Sequence, residues 1–207
     1  MEHEGHDLVD RLLAGDEAAF ETLVRRYHDR LLRLARTYVR TDAQAADVVQ
    51  DTWLAVLRGL PGFERRSSIQ TWIFRILMNR ARTHAVREGR LVAFGEADQG
   101  NDPVDAAADR EWFDASGHWR TPPAPWPSLD PERLLLDDEI RRRLDAAIEA
   151  LPPGKRAVVM LRDVEGLPAG EVCNLLGITE TNQRVLLHRG RTRIRAALAD
   201  LLGRDTP

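Results

Sequence analysis

The chain has 207 residues, 43% hydrophobic and 30% charged, a length that, against an average domain of about 150 residues, suits one large domain or two small ones. No apolar run approaches the ~18 residues of a membrane span, and the opening Met1-Glu2-His3-Glu4-Gly5-His6-Asp7 is too polar for a secretory signal. The single Cys173 excludes an internal disulfide and any multi-cysteine zinc site. A reduced, cytoplasmic protein with no membrane insertion of its own is expected.

The net charge of −3 conceals a partition. Residues 1–94 carry +2, residues 95–140 carry −9 and residues 141–207 carry +4. Basic charge is further concentrated: residues 58–90 hold eight Arg against Glu64 and Glu88, and residues 184–195 hold five Arg and no acid. Two separate basic stripes are what contact with two stretches of nucleic acid requires, although solvated helix faces also carry Arg. That 29 of the 30 basic residues are Arg points to a GC-rich genome rather than to a function.

The first ninety residues read as successive helices. A short one around residues 8–13 leads into a long one capped by Asp16, whose Phe20, Leu23, Val24, Tyr27, Leu31, Leu34 and Tyr38 fall at three- and four-residue steps. Thr41 with Gln44 is a capping-box signature for the next, which should bury Val49, Trp53, Val56 and Leu60 and stop at Pro61-Gly62. Ser67 with Gln70 repeats the signature for a third helix, with Ile69, Trp72, Ile73, Ile76 and Leu77 inward.

Periodicity is lost over residues 91–131. Pro103, Pro122, Pro123, Pro125 and Pro127 and the acidic cluster mark a linker. It nevertheless holds Trp112, Trp119 and Trp126, which a plain spacer does not need, so these rings are expected to dock on the protein's own domains or on a partner. Helical signals resume at Glu132: one helix to Leu151, stopped by Pro152-Pro153, a second over 154–163, then two separated by Gly177-Ile178, the last capped by Thr179 and running to about Leu202.

The final pair is a helix-turn-helix candidate, with Cys173 small enough for the helix crossing and Gly177 suited to positive φ at the turn. Its second helix would place Arg184, Arg189, Arg191, Arg193 and Arg195 near DNA. An ordinary basic helical hairpin is the plain alternative. Asp47, Gln50 and Asp51 share one face of the helix opened by Thr41, as a solvated surface or a protein-docking stripe. The loop 61–68 combines Phe63, Arg65, Arg66, Ser67 and Ser68, a mixture suited to unstacked bases, and the next helix adds Arg75, Asn79, Arg80 and Arg82. Phe63 fits a core position equally well. The six His show no ligand spacing, and Glu149 stands where a phosphate-binding loop before Lys155 needs glycine. No metal, cofactor or catalytic site is expected.

Taken together, Asp47-Val48-Val49-Gln50-Asp51-Thr52-Trp53-Leu54, then Phe63 and Ser67-Ser68-Ile69-Gln70-Thr71-Trp72-Ile73, resemble region 2 of the extracytoplasmic-function (ECF) sigma factors, small two-domain members of the sigma-70 superfamily. Leu151-Pro152-Pro153, the run 158–166 and Glu171-Val172-Cys173-Asn174-Leu175-Leu176-Gly177-Ile178-Thr179 resemble region 4. The resemblance implies an all-α fold: a region 2 bundle at 1–90, a long acidic linker at 91–131 and a region 4 helix-turn-helix at 132–207. It implies a promoter-specificity subunit rather than an enzyme, needing no cofactor and controlled by an anti-sigma factor.

By the same resemblance, Asp47, Gln50 and Asp51 would dock on the clamp helices of the largest subunit of core RNA polymerase. Phe63, Arg65, Arg66, Ser67, Ser68, Arg75, Asn79, Arg80 and Arg82 would open and bind promoter DNA at the −10 element. Asn182, Arg184, Val185, His188, Arg189 and Arg191 would bind the −35 element. The chain departs from the family pattern at Gln183, usually β-branched and apolar, and at Leu186, usually Arg, so the last helix is expected to pack differently. The acidic linker would follow the polymerase channel. A helix-turn-helix regulator without polymerase docking is the competing reading, since it would bind its operator unaided.

Overall fold

The computed structural model describes the backbone of residues 2–88 and 138–202, with side chains over 8–88 and 139–198. The expected linker, with Trp112, Trp119 and Trp126, and the expected start of a helix at Glu132 lie outside the described residues. The chain divides into two units, Met1–Val92 and Ala93–Pro207, and all described regular structure is helical.

The first unit contains α1 (Glu2–Leu13), α2 (Glu17–Ala35), α3 (Asp42–Gly59), a 3-10 turn (Leu60–Gly62) and α4 (Ile69–Arg87). Asp16 caps α2, its carboxylate accepting from the backbone N–H of Ala18 at 2.9 Å and of Ala19 at 3.2 Å. The Arg11 guanidinium, which donates to the same carboxylate, and the backbone N–H groups hold its pKa below the usual Asp value. The Thr41–Gln44 capping box forms in both directions. The third cap differs from the expected one. Ser68, not Ser67, receives the N–H of Thr71 at 3.1 Å and also bonds the Thr71 hydroxyl at 2.8 Å. Thr71, being a hydroxyl three residues on, makes Ser68 the better-partnered cap.

Leu23, Leu31 and Leu34 of α2, Val48, Val49 and Val56 of α3, and Ile73, Phe74 and Leu77 of α4 are buried together. Each fully buried side chain of this size contributes about 1.5–3 kcal/mol. On α4 the inward stripe is Phe74, Leu77, Met78 and Ala81, while the expected Ile69, Trp72 and Ile76 are only half-buried. The shift arises because α4 packs on both α2 and α3 and so buries a wider arc than one seam.

The second unit contains α5 (Asp138–Glu149), α6 (Pro153–Val159), a π turn (Met160–Val164), α7 (Ala169–Leu176) and α8 (Glu180–Leu202). The helix expected to run unbroken over 154–163 widens at Met160, where the N–H of Glu165 bonds the Met160 carbonyl at 2.9 Å. Gly177 adopts φ 69°, the left-handed stop expected of it, and Thr179 caps α8 by accepting the N–H of Asn182 at 3.2 Å. α8 packs on α5, α6 and α7. At its crossing with α6, Gly190 has no room for a side chain: a Cβ there would lie 2.7 Å from Val159 Cγ2.

Candidate nucleic-acid and partner-docking interface

Asp47, Gln50 and Asp51 are all exposed on the outer face of α3, one turn apart. The stripe continues into Leu54 and Leu57, 42% and 47% exposed. Exposed leucines aligned with exposed carboxylates make an amphipathic surface, of the kind that a protein partner covers. Sequence reading stopped at Asp51, yet the same three- and four-residue steps lead to both leucines.

The loop between the 3-10 turn and α4 is held from within. Phe63 is 8% exposed and its ring lies 5.0 Å from that of Trp72, while Trp72 lies against Gly59, where a Cβ would meet its ring at 3.1 Å. Phe63 therefore anchors the loop instead of offering a face to a base. Arg65 adopts φ 56°, a left-handed conformation costing of order 1–3 kcal/mol outside glycine, and its guanidinium pairs with Asp10 of α1. Arg66 is exposed and pairs with Glu64. Ser67 is half-buried, and Ser68 is spent on capping. Along α4, Arg75, Asn79 and Arg80 are exposed and Arg82 is half-buried.

On α8 the expected DNA-contacting residues separate into two groups. Arg184 is exposed and bonds Glu180 loosely at 3.4 Å, with Asn182 and Val185 half-exposed beside it. His188 and Arg189 are only 7% and 8% exposed. Burial, then Arg195 and Arg191, push the His188 pKa below the usual value. Arg191 forms two hydrogen bonds to Asp163 of the π turn, at 2.9 and 2.6 Å, which raise its pKa further. His188 and Arg189 are thus packed within the unit, whereas Arg191 is exposed and tied to Asp163. Gln183 and Leu186 are both 2% exposed, so the two departures from the family pattern fall on the packed side. Thr181, exposed beside Arg184, was missed; its place in the first turn was the available signal.

The Sigma-70 region 2 pattern matches residues 23–91 and the Sigma-70, region 4 pattern matches residues 141–194. The RNA polymerase sigma-H factor of Pseudomonas aeruginosa is 30% identical over 201 residues, covering 97% of each chain. The chain belongs to the ECF sigma factors. The ECF RNA polymerase sigma-E factor of Escherichia coli K12 is 29% identical over 197 residues, 95% of each chain. The fold is shared with CnrH, solved with the cytosolic domain of CnrY (TM-score 0.54, 22% identity, 98% of this chain and 99% of that one). It is also shared with RpoE of Bartonella quintana, solved with the anti-sigma factor NepR (TM-score 0.53, 20% identity, 87% and 96%).

In this sigma factor the region 2 match spans most of α2, then α3, the loop and α4, and the region 4 match spans most of α5, then α6, α7 and most of α8. Its relatives are transcription-initiation subunits, not enzymes, and among the described residues no helix is long and apolar enough to cross a membrane.

Proposed function

We propose that this ECF sigma factor divides its work between its two units: residues 1–90 bind core RNA polymerase and the −10 element, and residues 132–207 bind the −35 element. The outer face of α3 docks on the clamp helices of the largest subunit through Asp47, Gln50 and Asp51, with Leu54 and Leu57 closing the contact against water. Arg66, Arg75, Asn79, Arg80 and Arg82 lie along the opened strand, on a loop held by Phe63, Arg65 and Ser68. At the −35 element, Thr181, Asn182, Arg184 and Val185 enter the major groove, while His188, Arg189 and Arg191 hold the helix that presents them. Residues 91–131 tether the units, an anti-sigma factor sequesters these same surfaces, and the protein works in the cytoplasm.

The observation that carries the reading is the exposed Asp47–Asp51–Leu54–Leu57 stripe on a helix whose other face is core. The test is Asp47→Lys/Asp51→Lys. It should keep native helicity but fail to co-purify with core polymerase, and run-off transcription should fall in parallel. Native co-purification would refute the docking face. Promoter binding of native strength without polymerase would favour the lone-regulator reading.

A further inference from the structure

The first turns of α8 hold an ion pair that lies outside the core. Arg184 Nη2 is 3.4 Å from Oε2 of Glu180, one turn before it, and both side chains are exposed, 44% and 66%. The turn that carries them is fixed on its near side. Gly177 closes α7 in the left-handed conformation, and the Thr179 hydroxyl accepts the N–H of Asn182. Both charges also act on Cys173 of α7. Burial and then the Glu180 carboxylate push its thiol pKa up, while Arg162 and Arg184 pull it down. The pair therefore lies within electrostatic reach of the α7–α8 crossing, on its solvent side.

Helix stability accounts for a carboxylate in this turn but not for its aim. An acid in the first turn offsets the positive helix end wherever it points, and an exposed pair adds little. A charge-assisted bond between such groups closes to about 2.7–2.9 Å, as Arg191 does on Asp163 through two contacts at 2.9 and 2.6 Å. Arg184, at 3.4 Å through one nitrogen, is steered by Glu180 without being consumed by it. The rest of its fork stays open to another acceptor. An arginine confined to one direction beforehand loses less side-chain freedom when it meets a base edge. A carboxylate beside it is repelled by phosphate, which disfavours a swing onto the DNA backbone.

We propose that Glu180 is a positioning residue for base readout at the −35 element: its carboxylate holds the Arg184 guanidinium toward a base edge in the major groove and away from the phosphates. The inference rests on the reading that Arg184 enters that groove. It adds a residue that makes no base contact of its own yet sets the contact its neighbour makes. Guanine, whose O6 and N7 take a guanidinium in bidentate fashion, is the base that suits Arg184.

In the test, holoenzyme assembled on core polymerase selects from a duplex library of random sequence, and sequencing gives the base preference at each position. Arg184→Ala marks the base pair that Arg184 reads. Glu180→Gln removes the charge and keeps the size. It should lower the preference at that same base pair by about tenfold, inside the roughly 5- to 150-fold range of one bidentate contact, and leave the other positions native. Glu180→Gln/Arg184→Ala should match Arg184→Ala alone, because the carboxylate acts through the guanidinium. An even loss of affinity with every preference unchanged would reduce Glu180 to a helix-end charge and overturn the proposal. So would a double variant that loses preference at a second base pair, which would make Glu180 a base contact itself. If Arg184→Ala shifts the preference and Glu180→Gln does not, the positioning role is wrong and the −35 reading stands. If Arg184→Ala shifts no preference, the groove reading of Arg184 fails and takes the inference with it.

Discussion

Gly190→Ala pits helix propensity against packing at the crossing of α8 and α6. In an exposed helix the substitution stabilises by about 1 kcal/mol, because glycine loses the most backbone entropy. Here the new methyl would lie 2.7 Å from Val159 Cγ2, about 1 Å inside the contact distance of two carbons. Overpacking of a filled core costs about 1–3 kcal/mol, so the net effect should be a loss of up to about 2 kcal/mol. The neighbour decides the sign. Val159→Ala alone should cost about 1.5–2.5 kcal/mol through lost burial and a small cavity, but it also opens the space that the introduced methyl needs. The double variant should therefore be less destabilised than the two singles added together, with a coupling of about 1 kcal/mol or more. Hydrogen exchange of the α6 and α8 amides measures each corner of the cycle without interference from the first unit. A single Gly190→Ala variant stabilised by about 1 kcal/mol, or a cycle that closes additively, would show that the two helices do not meet as described.

Phe63→Ala should destabilise the first unit by about 3 kcal/mol through its lost packing on Trp72; if thermal melting is unchanged and a pre-melted promoter restores transcription, the ring stacks on a base after all. Asp163→Asn should cost no more than about 1 kcal/mol, since the pair is partly solvated, yet release Arg191 and steepen the salt dependence of duplex binding by about 0.9; an unchanged slope would show that Arg191 is out of reach of phosphate. The His188 pKa is depressed on folding, so the unfolded chain binds the proton first. Stability is therefore fully present above about pH 6.5 and lost as pH falls below it. Melting across about pH 7.5 to 5.5 should show a loss that His188→Gln abolishes, and parallel curves would remove the residue from the account.

The helix framework was legible because its signals are local. Asp16, Thr41 with Gln44, and Gly177 act on backbone groups within a turn of themselves, and each does what its type dictates. Ser67 failed as a cap because two adjacent serines offer the same chemistry, and only Thr71 distinguishes them. Tertiary contacts were less legible. The helical wheel places His188 and Arg191 on the face of Arg184, yet His188 is buried, and composition does not reveal which arginine meets Asp163 twenty-eight residues earlier. The widened turn at Met160 has no sequence signal of comparable strength, and it carries that Asp163.

The two units therefore hold their exposed arginines in different ways. On α8, Asp163 pairs with the exposed Arg191 and burial withdraws Arg189, while Arg184 stays exposed with its half-exposed neighbours Asn182 and Val185 in the helix's first turns. A reader of duplex sequence benefits from this, because each further free guanidinium would bind phosphate anywhere on the genome and erode discrimination. On α4 and its loop, Arg66, Arg75 and Arg80 remain exposed along a longer surface. That suits a strand already separated, whose backbone must be held against reannealing over several nucleotides and whose sequence is read at few positions. The proposed division of labour, duplex for one unit and single strand for the other, is thus matched by paired or buried arginines on α8 and by exposed ones on α4 and its loop.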